Sequence, residues 1–224
     1  RDSMKPAAGD FRIFWDNAYA VHDLYDEGDT LLNIYNECVK AGSPDLPIIF
    51  TSTSKITFPG AGVAVEAASP NNVALLKGRM KYQTIGPDKL NQLRHARMFR
   101  TVSDIERHMK RHAAILRPKF ETVEKELQKQ LGDTGVARWT TPKGGYFISL
   151  YVLEGCAKRV EQLCANAGMI LTPAGATYPY GTDPKDSNIR IAPSYPSVEE
   201  IEKASEVLAL AVRYAALEKL LSDK

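Results

Sequence analysis

Cysteine is scarce in this chain: Cys38, Cys156 and Cys164 are the only three in 224 residues, and they lack close metal-ligand spacing. An odd, widely spaced set excludes a disulfide framework or a thiolate metal site and predicts buried free thiols. Membrane-length apolar runs are missing too. No stretch approaches the roughly 20 apolar residues that a spanning helix needs, and no secretory signal pattern is present. Charge of one sign is also lacking, since 29 Lys and Arg stand against 27 Asp and Glu. So weak a field predicts neither nucleic-acid nor membrane binding. There is no internal repeat and no low-complexity segment. What remains is a globular chain, 44% hydrophobic, long enough for one or two domains, with the cytoplasm as its expected compartment.

The most informative stretch is Thr51-Ser52-Thr53-Ser54-Lys55-Ile56-Thr57-Phe58. Before it, Leu46-Pro47-Ile48-Ile49-Phe50 is a continuous apolar run, which reads as a buried strand of a covered sheet. Lys55 therefore stands at a strand exit among hydroxyls. Behind it, Pro59-Gly60-Ala61-Gly62 permits tight turns with inward-pointing amides, an anion cradle beside Ser52 and Ser54. A lysine, hydroxyls and amides together suit a phosphorylated aldehyde such as pyridoxal 5′-phosphate (PLP), held as a Schiff base to a partly desolvated amine. The plain alternative is a solvated loop lysine in ordinary turn chemistry.

A second run, Phe11-Arg12-Ile13-Phe14-Trp15, ends in Asp16-Asn17-Ala18-Tyr19. Open α/β sheets bind ligands at such strand ends. In a PLP site a carboxylate pairs with the pyridine nitrogen and keeps it protonated, the part Asp16 fits. Tyr19 fits a donor to the ring's phenolic oxygen. An Asx-turn with a packed tyrosine is the alternative. Further on, Ser187-Asn188-Ile189-Arg190-Ile191 places an arginine inside an apolar strand. Its planar fork suits the α-carboxylate of an amino acid, and a solvated strand edge is the other account.

In this order, Asp-x-x-Tyr, Ser-x-Ser-Lys and Asn-Ile-Arg resemble the fold-type I PLP enzymes of the aminotransferase class I/II superfamily. Within it, Thr51-Ser52-Thr53-Ser54-Lys55-Ile56-Thr57-Phe58-Pro59-Gly60-Ala61-Gly62-Val63 and Ile85-Gly86-Pro87-Asp88-Lys89-Leu90 are similar to the bacterial aspartate aminotransferase subgroup sometimes labelled MocR-like. The resemblance implies that Lys55 is the Schiff-base lysine, Asp16 the pyridinium partner and Tyr19 the phenolic-oxygen donor. Ser52 and Ser54 become phosphate ligands, and Arg190 the carboxylate clamp. Gly144-Gly145-Tyr146-Phe147 matches a small-domain strand beside the substrate. Most of the superfamily holds the phosphate with an arginine eight positions after the lysine; that position is Val63 here. The family's N-terminal parts have no counterpart in the chain, which reads as the C-terminal portion of a longer protein.

The fold so implied is α/β: residues 1–100 the C-terminal part of a PLP-binding large domain with a mostly parallel sheet, 101–131 an interdomain helix, 132–224 a small α+β domain. The activity implied is transamination between an amino acid, aspartate in particular, and a 2-oxo acid such as 2-oxoglutarate, in a homodimer, with the 224 residues alone inactive. In that chemistry Lys55 is first the anchor and then the proton carrier. Two other functions share the machinery: the PLP-binding sensor domain of a MocR-type transcription regulator, and a PLP-dependent lyase or decarboxylase. For a distal substrate carboxylate, Arg94 and Arg97 are candidates, against a plain helix surface.

Punctuation outlines the elements: a helix over 30–41 closed by Gly42, a strand over 62–68, a helix opened by Ser69-Pro70, and a long segment over 101–131 broken only by Pro118. A strand pair over 137–140 and 146–152, a helix over 157–167, a strand over 188–192 and a capped helix over 197–221 follow. His108 and His112 share a helix face, but nothing completes a metal site, and a solvated basic face explains them. Tyr178-Pro179-Tyr180 reads as a mobile loop.

Overall fold

The computed structural model describes residues 8–222. Two compact units divide the chain: one holds the residues through Val21 and Asp29–Met109, the other His22–Gly28 and Lys110–Lys224.

In the first unit, β1 (Ile13–Asp16), β2 (Pro47–Ser52) and β3 (Ala64–Ala68) form one sheet in the order β1-β2-β3. β1 and β2 are parallel, linked through α1 (Ile34–Lys40), while β2 and β3 are antiparallel. The lysine segment is thus the connection between two antiparallel neighbours. α1 begins four residues later than its apolar pattern suggests. Asn33 accepts a bond from Asn36 N at 3.1 Å, and this cap sets the first turn; Leu31 and Leu32 ahead of it are exposed. Gly42, at φ +74°, closes the helix as expected.

α2 (Pro70–Gln83) opens with Ser69, whose hydroxyl accepts from Asn72 N at 3.2 Å, and Pro70, whose missing N–H costs nothing in a first turn. Bonds from Ser69 and Asn71 hold the Asp45 carboxyl below its usual range and tie this turn to the residues entering β2. α3 (Lys89–Met98) is capped by Asp88, which accepts from Leu90 N and Asn91 N. Next comes α4 (Val102–Leu131). It runs unbroken through Pro118, contrary to the expected interruption: only one backbone bond is lost there, and burial of Leu116, Phe120, Val123, Leu127 and Leu131 on one stripe outweighs it.

In the second unit β4 (Ala137–Trp139), β5 (Ile148–Val152) and β6 (Asn188–Ile191) form an antiparallel sheet in the order β4-β5-β6. β5 alternates buried Ile148, Leu150 and Val152 with half-buried residues, the period-two signature of a sheet covered on one face. α5 (Ala157–Asn166), α6 (Val198–Ser222) and α4 supply the cover. Each fully buried Leu, Ile or Phe here contributes about 1.5–3 kcal/mol. Ser197 and Glu200 form the capping box, with Glu200 N donating to Ser197 Oγ at 3.2 Å and Ser197 N to Glu200 Oε2 at 2.8 Å. All three cysteines are free and buried, as expected. Among the described residues no helix is long and apolar enough to cross a membrane.

Candidate active site

Two strand ends come together in the first unit. Asp16 is the register partner of Phe50 across the parallel pair, Asn17 N donates to Phe50 O at 2.7 Å, and Thr51 Oγ1 donates to Asn17 O at 3.2 Å. The exits of β1 and β2 are thereby level, with Asp16 exposed and Tyr19 half-buried just beyond.

After Ser52 the chain forms a tight turn. Ile56 N and Thr57 N both donate to Thr53 O, at 2.9 and 2.8 Å, leaving Lys55 at the apex with its side chain exposed. The turn's base is laced to the start of the return strand: Thr53 N donates to Val63 O and Val63 N to Thr53 Oγ1, both at 2.9 Å. Ser52 and Ser54 face each other, hydroxyl to hydroxyl, at 3.1 Å. A side chain on Gly62 would enter this group, since its Cβ would lie 3.0 Å from Thr53 Oγ1 and 3.5 Å from Ser54 Oγ. Paired hydroxyls and a glycine that clears the approach to them thus stand next to Lys55.

Two histidines hold the turn. His95, on α3, places Nε2 3.0 Å from Thr53 Oγ1 and 2.8 Å from Thr57 Oγ1, while its Nδ1 is 2.7 Å from Asn91 O. A carbonyl only accepts, so Nδ1 carries the proton and Nε2 faces the hydroxyls. His108 Nε2 donates to Ile56 O at 2.7 Å, with the Phe99 ring 5.3 Å away. The solvated basic face expected for His108 is therefore wrong: the imidazole is half-buried and bonded to the lysine turn. Among the described residues no group of three or more His, Cys, Asp or Glu is placed to hold a metal. Arg94 and Arg97 lie exposed on α3, and Arg94 donates to Asn91 Oδ1 at 3.0 Å, as a helix surface would have them.

In the second unit, Arg190 lies on β6 between buried Ile189 and Ile191, opposite Ser149 of β5. Its guanidinium carbon sits 4.6 Å over the Phe147 ring, and its buried Nε has no hydrogen-bond partner among the described residues. A buried cationic donor without an acceptor costs stability unless something else satisfies it. Arg190 also borders a cavity of about 180 Å³ whose walls include Met169, Ile170, Pro193 and Leu208. The turn entering β6 is fastened by Asp183. Partial burial pushes its carboxyl up, but N–H groups of Ser187, Lys185 and Asn188 outweigh this and hold it below the usual range. Gly144-Gly145 precedes β5 instead of lying in it; Gly145, at φ +83°, donates to His22 O at 2.9 Å, and Gly144 packs against the same carbonyl. The Tyr178-Pro179-Tyr180 segment contains a single 3-10 turn (Pro179–Gly181), with Tyr180 at φ 59° and fully exposed.

The family described as aspartate amino-transferase matches residues 2–224. The chain belongs to it. An aspartate aminotransferase of Corynebacterium glutamicum is 48% identical over 216 residues, which cover 96% of this chain and 50% of that protein. The crystal structure of an aspartate transaminase from the same organism superimposes with a TM-score of 0.92 at 48% identity, covering 96% of this chain and 51% of that one. An α-aminoadipate aminotransferase of Thermus thermophilus, solved with N-(5′-phosphopyridoxyl)-L-leucine, shares the fold at a TM-score of 0.72 and 21% identity, over 92% of this chain and 51% of that one. The chain spans about half the length of the relatives it matches.

Within this family the sequence reading missed His95 and His108. They lie 42 and 52 positions from their partners in the turn, and no local pattern marks so distant a contact.

Proposed function

We propose that this chain is the C-terminal portion of a PLP-dependent transaminase that moves an amino group between an amino acid, aspartate foremost, and a 2-oxo acid such as 2-oxoglutarate. The observation that carries the reading is Lys55 at the apex of a hydroxyl-lined turn, on the strand exit adjoining that of Asp16. Membership of the aspartate amino-transferase family and the 48% identity to an enzyme of that name support it. The residues present suit PLP: a reactive amine, an exposed carboxylate, paired hydroxyls and a glycine that leaves them approachable.

When bound, PLP supplies an electron sink for negative charge at the substrate's α-carbon. Lys55 would hold the cofactor covalently through Nζ, and its free amine would take the proton from the α-carbon. Asp16 keeps a proton on the ring nitrogen. Tyr19 would donate to the phenolic oxygen, and Ser52 and Ser54, with backbone amides of the Pro59-Gly60-Ala61-Gly62 turn, would hold the phosphate. Arg190 receives the α-carboxylate through parallel bonds, giving its Nε an acceptor and using a fork already oriented by Phe147. Residues 1–100 serve as part of the PLP-binding domain, 101–131 as the interdomain helix and 132–224 as the small domain of a homodimer.

The test is borohydride reduction of the full-length protein loaded with PLP, followed by peptide mapping. Wild-type protein should carry the pyridoxyl group on Lys55 and Lys55→Ala should carry none; a labelled site elsewhere overturns the assignment. Turnover of aspartate with 2-oxoglutarate separates a transaminase from a sensor or a lyase.

A further inference from the structure

We propose that His95 and His108 are positioning residues that set the direction of Lys55 by bracing its turn from two helices; this rests on Lys55 being the reactive amine. The lysine itself is exposed at the apex, and its four-carbon stem would sweep a wide volume from a loose turn. The turn beneath it is held at three places, two through threonine hydroxyls and one through a backbone carbonyl. His95 Nε2 reaches Thr53 Oγ1 and Thr57 Oγ1, two residues before and two after the lysine, at 3.0 and 2.8 Å. His108 Nε2 reaches Ile56 O, the next carbonyl along, at 2.7 Å.

The hydrogen-bond roles close consistently. Asn91 O fixes the proton of His95 on Nδ1, so in the neutral ring Nε2 accepts. Thr53 Oγ1 already accepts from Val63 N, which leaves its proton for Nε2. The single proton of Thr57 Oγ1 is shared between His95 Nε2 and Thr53 O, which lies 3.1 Å away, so the ring accepts one hydroxyl proton at a time. One imidazole thus lies within hydrogen-bond distance of hydroxyls at both ends of the turn and ties it to α3, and the second ties its middle to α4. Neither ring needs to touch cofactor or substrate to act. Their effect is to reduce the orientations the Lys55 Cα–Cβ bond samples, which raises the fraction of time Nζ lies where an aldehyde carbon is presented.

The experiment compares two ligands on the full-length apoprotein. Pyridoxal 5′-phosphate condenses with lysine: Nζ adds to the aldehyde carbon, a C=N bond forms and the carbonyl oxygen leaves as water, with no change of oxidation state. Pyridoxamine 5′-phosphate keeps the ring and phosphate but cannot condense. For His95→Ala the condensation rate, followed by absorbance, should fall by about tenfold or more, while the dissociation constant for pyridoxamine 5′-phosphate and the thermal midpoint of the apoprotein stay near wild type. His95→Gln, whose amide oxygen can accept from the same hydroxyls, should recover most of the rate, and His108→Leu should slow condensation in the same selective way.

Equal loss for both ligands would make the histidines merely structural and overturn the proposal, as would wild-type condensation in His95→Ala. Should His95→Ala fail to fold, Thr57→Val removes one of the His95 contacts together with the Thr57–Thr53 bond inside the turn, and the same comparison decides. Lys55→Ala distinguishes the underlying assignment: condensation persisting there sinks the role of Lys55 itself, whereas its loss there with no effect at His95 or His108 sinks the brace alone.

Discussion

Asp16 stands directly across the parallel ladder from Phe50, five positions before Lys55, so the carboxylate and the lysine turn leave the sheet side by side. Neither segment has a reason in local structure to end in these groups. Their meeting depends on the register between β1 and β2. A one-residue slip would move Asp16 to the other face of the sheet.

From that placement, Asp16→Asn should keep PLP bound, since size and hydrogen-bonding shape are preserved, but slow the single-turnover reaction with aspartate by on the order of a hundredfold or more. Rapid-mixing absorbance in the full-length protein measures this. A near-normal rate would remove Asp16 from the ring nitrogen.

Arg190→Lys replaces a two-pronged donor stacked on Phe147 with a single point charge. The dissociation constant for amino acid substrates should rise about tenfold, equivalent to about 1.4 kcal/mol, with PLP affinity unchanged. Equilibrium titration with aspartate checks it, and unaltered affinity would mean that Arg190 meets no substrate carboxylate.

Gly62→Ala places a methyl 3.0 Å from Thr53 Oγ1 and 3.4 Å from Ser54 N, so the hydroxyl group of residues must give way by a few tenths of an ångström. Overpacking of this kind costs about 1–3 kcal/mol. The thermal midpoint should fall accordingly, and affinity for pyridoxamine 5′-phosphate should fall with it at temperatures where the variant is fully folded. An unchanged affinity would show that the phosphate is held elsewhere.

Cys164 is wholly buried, and desolvation pushes its thiol up to about 11 from 9.0. Because the folded state holds this proton more tightly, its contribution to stability is complete below pH 9 and is lost as pH rises toward 11. Denaturant unfolding of wild type should therefore lose stability over that window, and Cys164→Ala should show less of the loss. Iodoacetamide should label Cys164 in native protein only at the rate of unfolding.

Much of this was legible in the residues alone. The apolar run before Ser52 announces a strand, Ser69-Pro70 and Ser197 announce helix starts, and the conjunction of Asp16, Lys55 and Arg190 is a pattern of residue types that local chemistry explains. Such features depend on propensity, periodicity and hydrogen-bonding capacity, which each residue carries with it. Helix α4 passing through Pro118, and α1 starting only at Ile34, were settled by burial and by a cap that compete with those propensities. Tertiary structure alone decided that the lysine turn lies between antiparallel strands, that Gly62 opens toward the hydroxyls, and that His95 and His108 grip the turn from helices far along the chain. The reason is physical: a hydrogen bond between residues 42 positions apart exists only once packing has placed helix α3 against the lysine turn, and nothing in the neighbourhood of either partner encodes it.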